Sequence, residues 1–136
     1  MSRRVCRAAA ATGVAVSALA HLASFTPMGA RLPEALIVVL FAGALVLLLA
    51  MLGRVRRLTA PTRSWRRLEV YDWRGLASRV PMALRRLVAI TAAYALLNFG
   101  LSVLAEAGAL RVASGHCLLF YLIPLAYFGH VEPGLS

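Results

Sequence analysis

The stretch EALIVVLFAGALVLLLAMLGRVRR, residues 34–57, decides the fold. From Ala35 to Gly53 it carries no polar side chain, and about 20 such residues suffice to cross the hydrocarbon of a bilayer as a helix. The run then stops at Arg54, Arg56 and Arg57. Arginine-rich connections stay on the cytoplasmic side, so these residues predict a transmembrane helix with its C-terminal end inside.

The rest of the chain agrees with its most apolar segment. Of 136 residues, 61% are apolar and the mean hydropathy is +0.78, against about 45–50% apolar residues in soluble domains. This length makes one domain, residues 1–136, with room for roughly four membrane helices and no separate catalytic domain. The expected fold class is therefore all-α, an integral membrane protein. Four transmembrane helices are expected at about 8–28, 35–53, 87–110 and 113–129, with a basic amphipathic cytoplasmic loop, 54–86, between the second and third.

Charge sets the orientation. The net charge is +10, carried by 15 arginines and no lysine, a codon preference that points to a GC-rich bacterial genome. Ten arginines fall between Arg54 and Arg86, opposed only by Glu69 and Asp72. With Arg3, Arg4 and Arg7 also inside, four crossings place both termini in the cytoplasm of a bacterial inner membrane and leave only Arg31 and Arg111 outside. The first twenty residues also have the charged and apolar regions of a signal peptide, with Ala18-Leu19-Ala20 as a cleavage site; read as retained, they form the first helix. Within the loop, Asp72 caps a short segment with Trp73, Leu76, Ala77 and Val80 on one face. Arg54, Arg56, Arg57, Arg63, Arg66, Arg67, Arg74 and Arg79, with Trp65 and Trp73 at headgroup depth, form a surface for anionic lipid or an acidic protein partner, at about 1 kcal/mol per arginine for lipid. Orientation already accounts for this charge, so nucleic acid is not expected as a partner.

The third helix carries the clearest polar pattern. Thr91, Tyr94, Asn98, Ser102 and Glu106 recur at three- and four-residue spacing and share a face, which lipid cannot satisfy and which should turn inward. In the first helix Ala9, Gly13, Ser17 and His21 are spaced by four, a small-residue stripe that points His21 into the bundle. His21, Glu106 and His116 all belong to the outer half of the membrane. Two histidines from different helices can hold the iron of a haem b axially, so His21 and His116 are candidate cofactor ligands. No spacing typical of a metal-binding helix accompanies them, and no metal site is expected. The plainer reading of His116 is a hydrogen bond at a helix start opened by Ser114 and Gly115. Pro124 predicts a kink, Tyr127, Phe128 and His130 an inner aromatic belt. Cys6 and Cys117 belong to opposite faces and are too far apart to pair.

The tail NFGLSVLAEAGALRVASGHCLLFY, residues 98–121, resembles small four-helix bacterial inner-membrane proteins in which an Asn-Phe pair precedes an Arg…Ser-Gly-His…Phe-Tyr stretch. Here these are Asn98, Phe99, Arg111, Ser114, Gly115, His116, Phe120 and Tyr121. The resemblance implies a fold and no activity.

No nucleophile and base pair, acid dyad or phosphate loop is present, so an enzyme is not expected. The leading expectation is a non-catalytic accessory or structural subunit of a larger bacterial membrane complex, with other membrane subunits and anionic lipids as partners. The alternatives are a haem- or metal-binding redox subunit using His21 and His116, and a small transporter or proton conductor using the Thr91 to Glu106 face.

Overall fold

The computed structural model describes residues 1–59, 78–105 and 108–131. Four helices are long and apolar enough to cross a membrane, and no strand occurs among the described residues, the architecture of an all-α multi-pass membrane protein. They are α1 (Arg3–Ala23), α2 (Ala35–Thr59), α3 (Met82–Leu104) and α4 (Ala109–Ala126), the last running into a π-helical turn, Tyr127–Val131.

Local chemistry moves each boundary from its expected place. α1 starts earlier than residue 8, because Ser2 caps it by accepting from the Val5 N–H at 3.3 Å. It ends at Ala23 and not near Met28: Ser24 Oγ donates to the His21 carbonyl at 2.6 Å and Thr26 Oγ1 to that of Ala23 at 2.8 Å, which satisfies the last carbonyls before Pro27. A 3-10 turn, Gly29–Arg31, reverses the chain. α2 continues past Gly53 to Thr59, and α3 begins at Met82 behind Pro81, so Arg54, Arg56, Arg85 and Arg86 are helical and not loop residues. α3 ends at Leu104, six residues short of its expected end, and α4 starts at Ala109 and not at Ala113.

α4 is the hub. It packs on each of the other three helices, most extensively on α1. The pairs His21 with Ser114 and Gly13 with Tyr121 run in opposite directions along the two helices, so α1 and α4 are antiparallel. The buried positions of α1, Cys6, Ala10, Gly13, Ser17 and Ala20, alternate steps of four and three, the seven-residue seam of two helices at a shallow crossing angle. A strict four-residue stripe drifts off this seam, which is why Ala9 is exposed while Ala10 is fully buried.

The interior of the bundle is apolar at the end where α4 runs into its π-turn. Phe128 is fully buried and Tyr127 and Val131 nearly so; these aromatics are core and not an interfacial belt, because the π-turn after Pro124 carries them inward. Arg54 lies over Phe128 with its guanidinium 5.6 Å from the ring centre and donates to the Met1 carbonyl, tying α2 to the N-terminus.

Candidate functional site

The polar residues of three helices meet near the end of the bundle where α1 stops. His21 is the centre of this cluster, 5% exposed. Its Nδ1 lies 2.9 Å from Ser114 Oγ on α4 and its Nε2 2.5 Å from the Tyr94 hydroxyl on α3. Phe25 and Tyr94 both meet the imidazole edge-on, at 5.1 and 5.5 Å between ring centres.

The donor and acceptor inventory fixes the direction of these bonds. Ser114 Oγ donates to the Leu110 carbonyl at 2.6 Å, and a hydroxyl has one hydrogen, so toward His21 it can only accept. Nδ1 of His21 therefore carries the proton. In the neutral ring Nε2 is then an acceptor, and the Tyr94 hydroxyl donates to it. The chain runs one way, from Tyr94 through His21 and Ser114 to the Leu110 carbonyl, and stitches α3, α1 and α4 together.

A second stitch lies beside it. Asn98 Nδ2 donates to the Arg111 carbonyl at 3.0 Å, made accessible by Gly115, where a Cβ would stand 3.0 Å from Asn98 Nδ2 and 3.6 Å from His21 Cε1. Ser114 and Gly115 are thus buried inside α4 where it meets α1 and α3; they do not open a turn. Arg111 covers Phe25, its guanidinium carbon 4.3 Å from the ring centre. Its buried Nε has no partner among the described residues. Beside it a recess of about 400 Å³ is lined by Ser24, Thr26, Gly29, Ala105, Gly108, Leu110 and Arg111.

A third stitch joins α2 to α4. Tyr121 donates from its hydroxyl to the Leu40 carbonyl at 2.8 Å, with its ring against Gly13 and its hydroxyl against Gly43. Sequence reading missed this slot, whose signal was two glycines, each inside a predicted span.

The polar face of α3 is placed inward as its spacing implies. Asn98 and Ser102 are 4% and 1% exposed, Thr91 is half-buried, and Tyr94 turns its hydroxyl onto His21. Glu106 lies outside the described residues. The two candidate haem ligands are not brought together. His21 meets the Ser114 side of α4, while His116 lies about 200° further round the helix at 100° per residue, packed edge-on against Phe99 at 5.7 Å. An axial role for His21 would also require it to release Tyr94 or Ser114. His116 does not cap a helix start; it sits in the second turn of α4 with Nδ1 2.9 Å from the Val112 carbonyl. Among the described residues, no three metal-binding side chains gather.

Of the expected lipid- or partner-binding surface, Arg54 is half-buried over Phe128, and Arg56 and Arg79 are exposed. The Arg57 side chain, Arg63, Trp65, Arg66, Arg67, Trp73 and Arg74 lie outside the described residues. Cys6 and Cys117 are both fully buried and unpaired. Comparison of the chain with protein-family models, with curated proteins and with solved structures gave no match.

Proposed function

We propose that this chain is a non-catalytic structural subunit of a larger assembly in a bacterial inner membrane, with both termini and the arginine-rich connection in the cytoplasm. The observation that carries this reading is the closure of the His21 cluster. Both ring nitrogens are engaged by neighbouring helices, and Asn98 and Tyr121 direct their donors to backbone carbonyls of other helices. Such groups fasten helices and leave no reacting atom presented to a substrate. The outward faces of α2 and α3, with Val38, Val39, Leu96, Leu97 and Leu104 all more than half exposed, suit lipid and neighbouring subunits alike. The arginines between α2 and α3 supply a charged inner surface for anionic headgroups or an acidic subunit.

The test has two parts. Mild solubilisation from native membranes, with crosslinking before extraction, should recover the chain in a defined complex larger than itself; recovery of the chain alone under every mild detergent sinks the subunit assignment. A cysteine placed at Trp73 should resist a membrane-impermeant maleimide in intact cells and react after permeabilisation. Labelling from outside reverses the orientation.

A further inference from the structure

α1, α2 and α3 surround α4 on three sides, and the fourth side is a groove. Ser114 and Tyr121 face α1, and positions about 200° round from them, His116 and Ile123, with Phe120 one turn from His116, form the floor. These floor residues are half-buried, flanked by α2 and α3, which do not pack extensively on each other. Phe41 of α2 forms one wall, 6.0 Å from the Phe120 ring, and Phe99 of α3 the other, 5.7 Å from the His116 ring. Both walls keep open surface, Phe41 at 37% and Phe99 at 49% exposed.

This groove contains one polar atom whose role is fixed. His116 Nδ1 faces the Val112 carbonyl at 2.9 Å, and a carbonyl only accepts, so Nδ1 carries the hydrogen. Nε2 of the neutral ring is then a lone-pair acceptor, and no described residue donates to it. His116 lies about 10 Å along the helix from Ala109 at 1.5 Å per residue, below the α4 end and within the span. An acceptor left without a donor in hydrocarbon is unfavourable. An acyl chain filling the groove would leave it so. A hydroxyl on an aromatic ring would satisfy it while its ring met Phe41, Phe99 and Phe120 edge-on or offset.

We infer that the α2–α3 groove on α4 binds a lipid-soluble hydroxyaromatic compound, of the hydroquinone class, whose hydroxyl donates to His116 Nε2. The site is separate from the His21 cluster and does not depend on the subunit assignment. It distinguishes oxidation states by hydrogen bonding alone: a hydroquinone brings the donor that Nε2 needs, and the corresponding quinone brings only acceptors.

The test uses the full chain in phosphatidylcholine nanodiscs under anaerobic conditions, titrated with a short-chain alkyl benzohydroquinone and, separately, its benzoquinone. Binding is read as partition above that of empty discs and as the ¹⁵N shift of His116 Nε2. The expected result is saturable hydroquinone binding that moves this resonance, and quinone binding weaker by roughly tenfold, the scale of one hydrogen bond. His116→Phe keeps a ring and should bring the hydroquinone down to the quinone's level, while Phe99→Ala, which leaves the acceptor in place, should weaken both. Equal binding of the two forms, no loss in His116→Phe, no saturation above empty discs, or protection of the groove only by a second protein chain would each overturn the inference.

Discussion

Replacing Gly13 with alanine should destabilise the bundle, and only while Tyr121 is present. A Cβ on Gly13 falls among ring carbons of Tyr121, an overlap that no shift of a few tenths of an ångström relieves. The ring is confined: Tyr121 is 5% exposed, held through its hydroxyl to the Leu40 carbonyl at 2.8 Å, and backed by Gly43. Overpacking of this kind costs about 1–3 kcal/mol, and displacing the hydroxyl from its carbonyl about 1 kcal/mol more. Alanine's better helix propensity returns about 1 kcal/mol. The net loss is then about 1–3 kcal/mol. In a Tyr121→Ala background the overlap is gone, and the same Gly13→Ala change should stabilise by up to about 1 kcal/mol. The substitution changes sign between backgrounds. Unfolding in mixed micelles by increasing SDS, followed by circular dichroism, measures both arms, and Gly100→Ala on α3, where a Cβ meets open space, is the control. Equal shifts from Gly13→Ala with and without Tyr121 would refute the slot.

The His21 chain predicts the Nδ1–H tautomer, which ¹⁵N NMR of labelled histidine reads directly; an Nε2–H tautomer would contradict the direction assigned from Ser114. Tyr94→Phe and Ser114→Ala should each cost about 1–3 kcal/mol by leaving a buried ring nitrogen unsatisfied, and both losses should shrink in a His21→Phe background, so additive losses refute the coupling. Gly115→Ala presses Asn98 off the Arg111 carbonyl, a loss of about 1 kcal/mol that offsets alanine's helix propensity, so in the same SDS titration it should fall short of the gain shown by Gly100→Ala by about 1 kcal/mol, while a gain equal to that control's would remove Asn98 as a stitch. Cys6 and Cys117 should react slowly with a membrane-permeant maleimide in the folded protein and readily in SDS, as expected for inert buried thiols; fast labelling of either in the folded state contradicts its burial.

The number of helices was legible because the signal for a span, a long apolar run ended by arginine, needs no knowledge of what it packs against. Helix ends were not, since they depend on side chains that bond backward over one turn. Ser24 and Thr26 close α1 five residues before the hydropathy falls. Ser114 and Gly115 read as a turn because serine and glycine are poor helix formers in water. In the bundle they are small buried residues where α4 meets α1 and α3, and burial outweighs propensity. The inward turn of Asn98 and Ser102 followed from their spacing, since lipid offers them no partner. The partner of His21 did not follow: spacing gives the face of a helix, while the choice of Ser114 and Tyr94 over His116 depends on how the helices are rotated against each other. Tyr127 and Phe128 were misread for a similar reason, because a π-turn shifts the face that later residues present.

The groove and the stitches have one cause. Between helices in lipid there is little hydrophobic drive, so association rests on close packing and on hydrogen bonds between helices. Most such devices here end on α4: the Gly13 slot and the His21–Ser114 bond from α1, the Tyr121–Leu40 bond to α2, the Asn98–Arg111 bond from α3, while the Tyr94–His21 bond joins α3 to α1 and the Arg54–Met1 bond holds α2 to the N-terminus. Among the described residues none of these bonds bridges α2 and α3 directly, so the two are placed by their separate attachments to α4 and to α1 with its N-terminal residues. A hub fastened on three sides leaves its fourth side open to whatever the membrane supplies. That side carries the imidazole whose tautomer its own backbone has fixed.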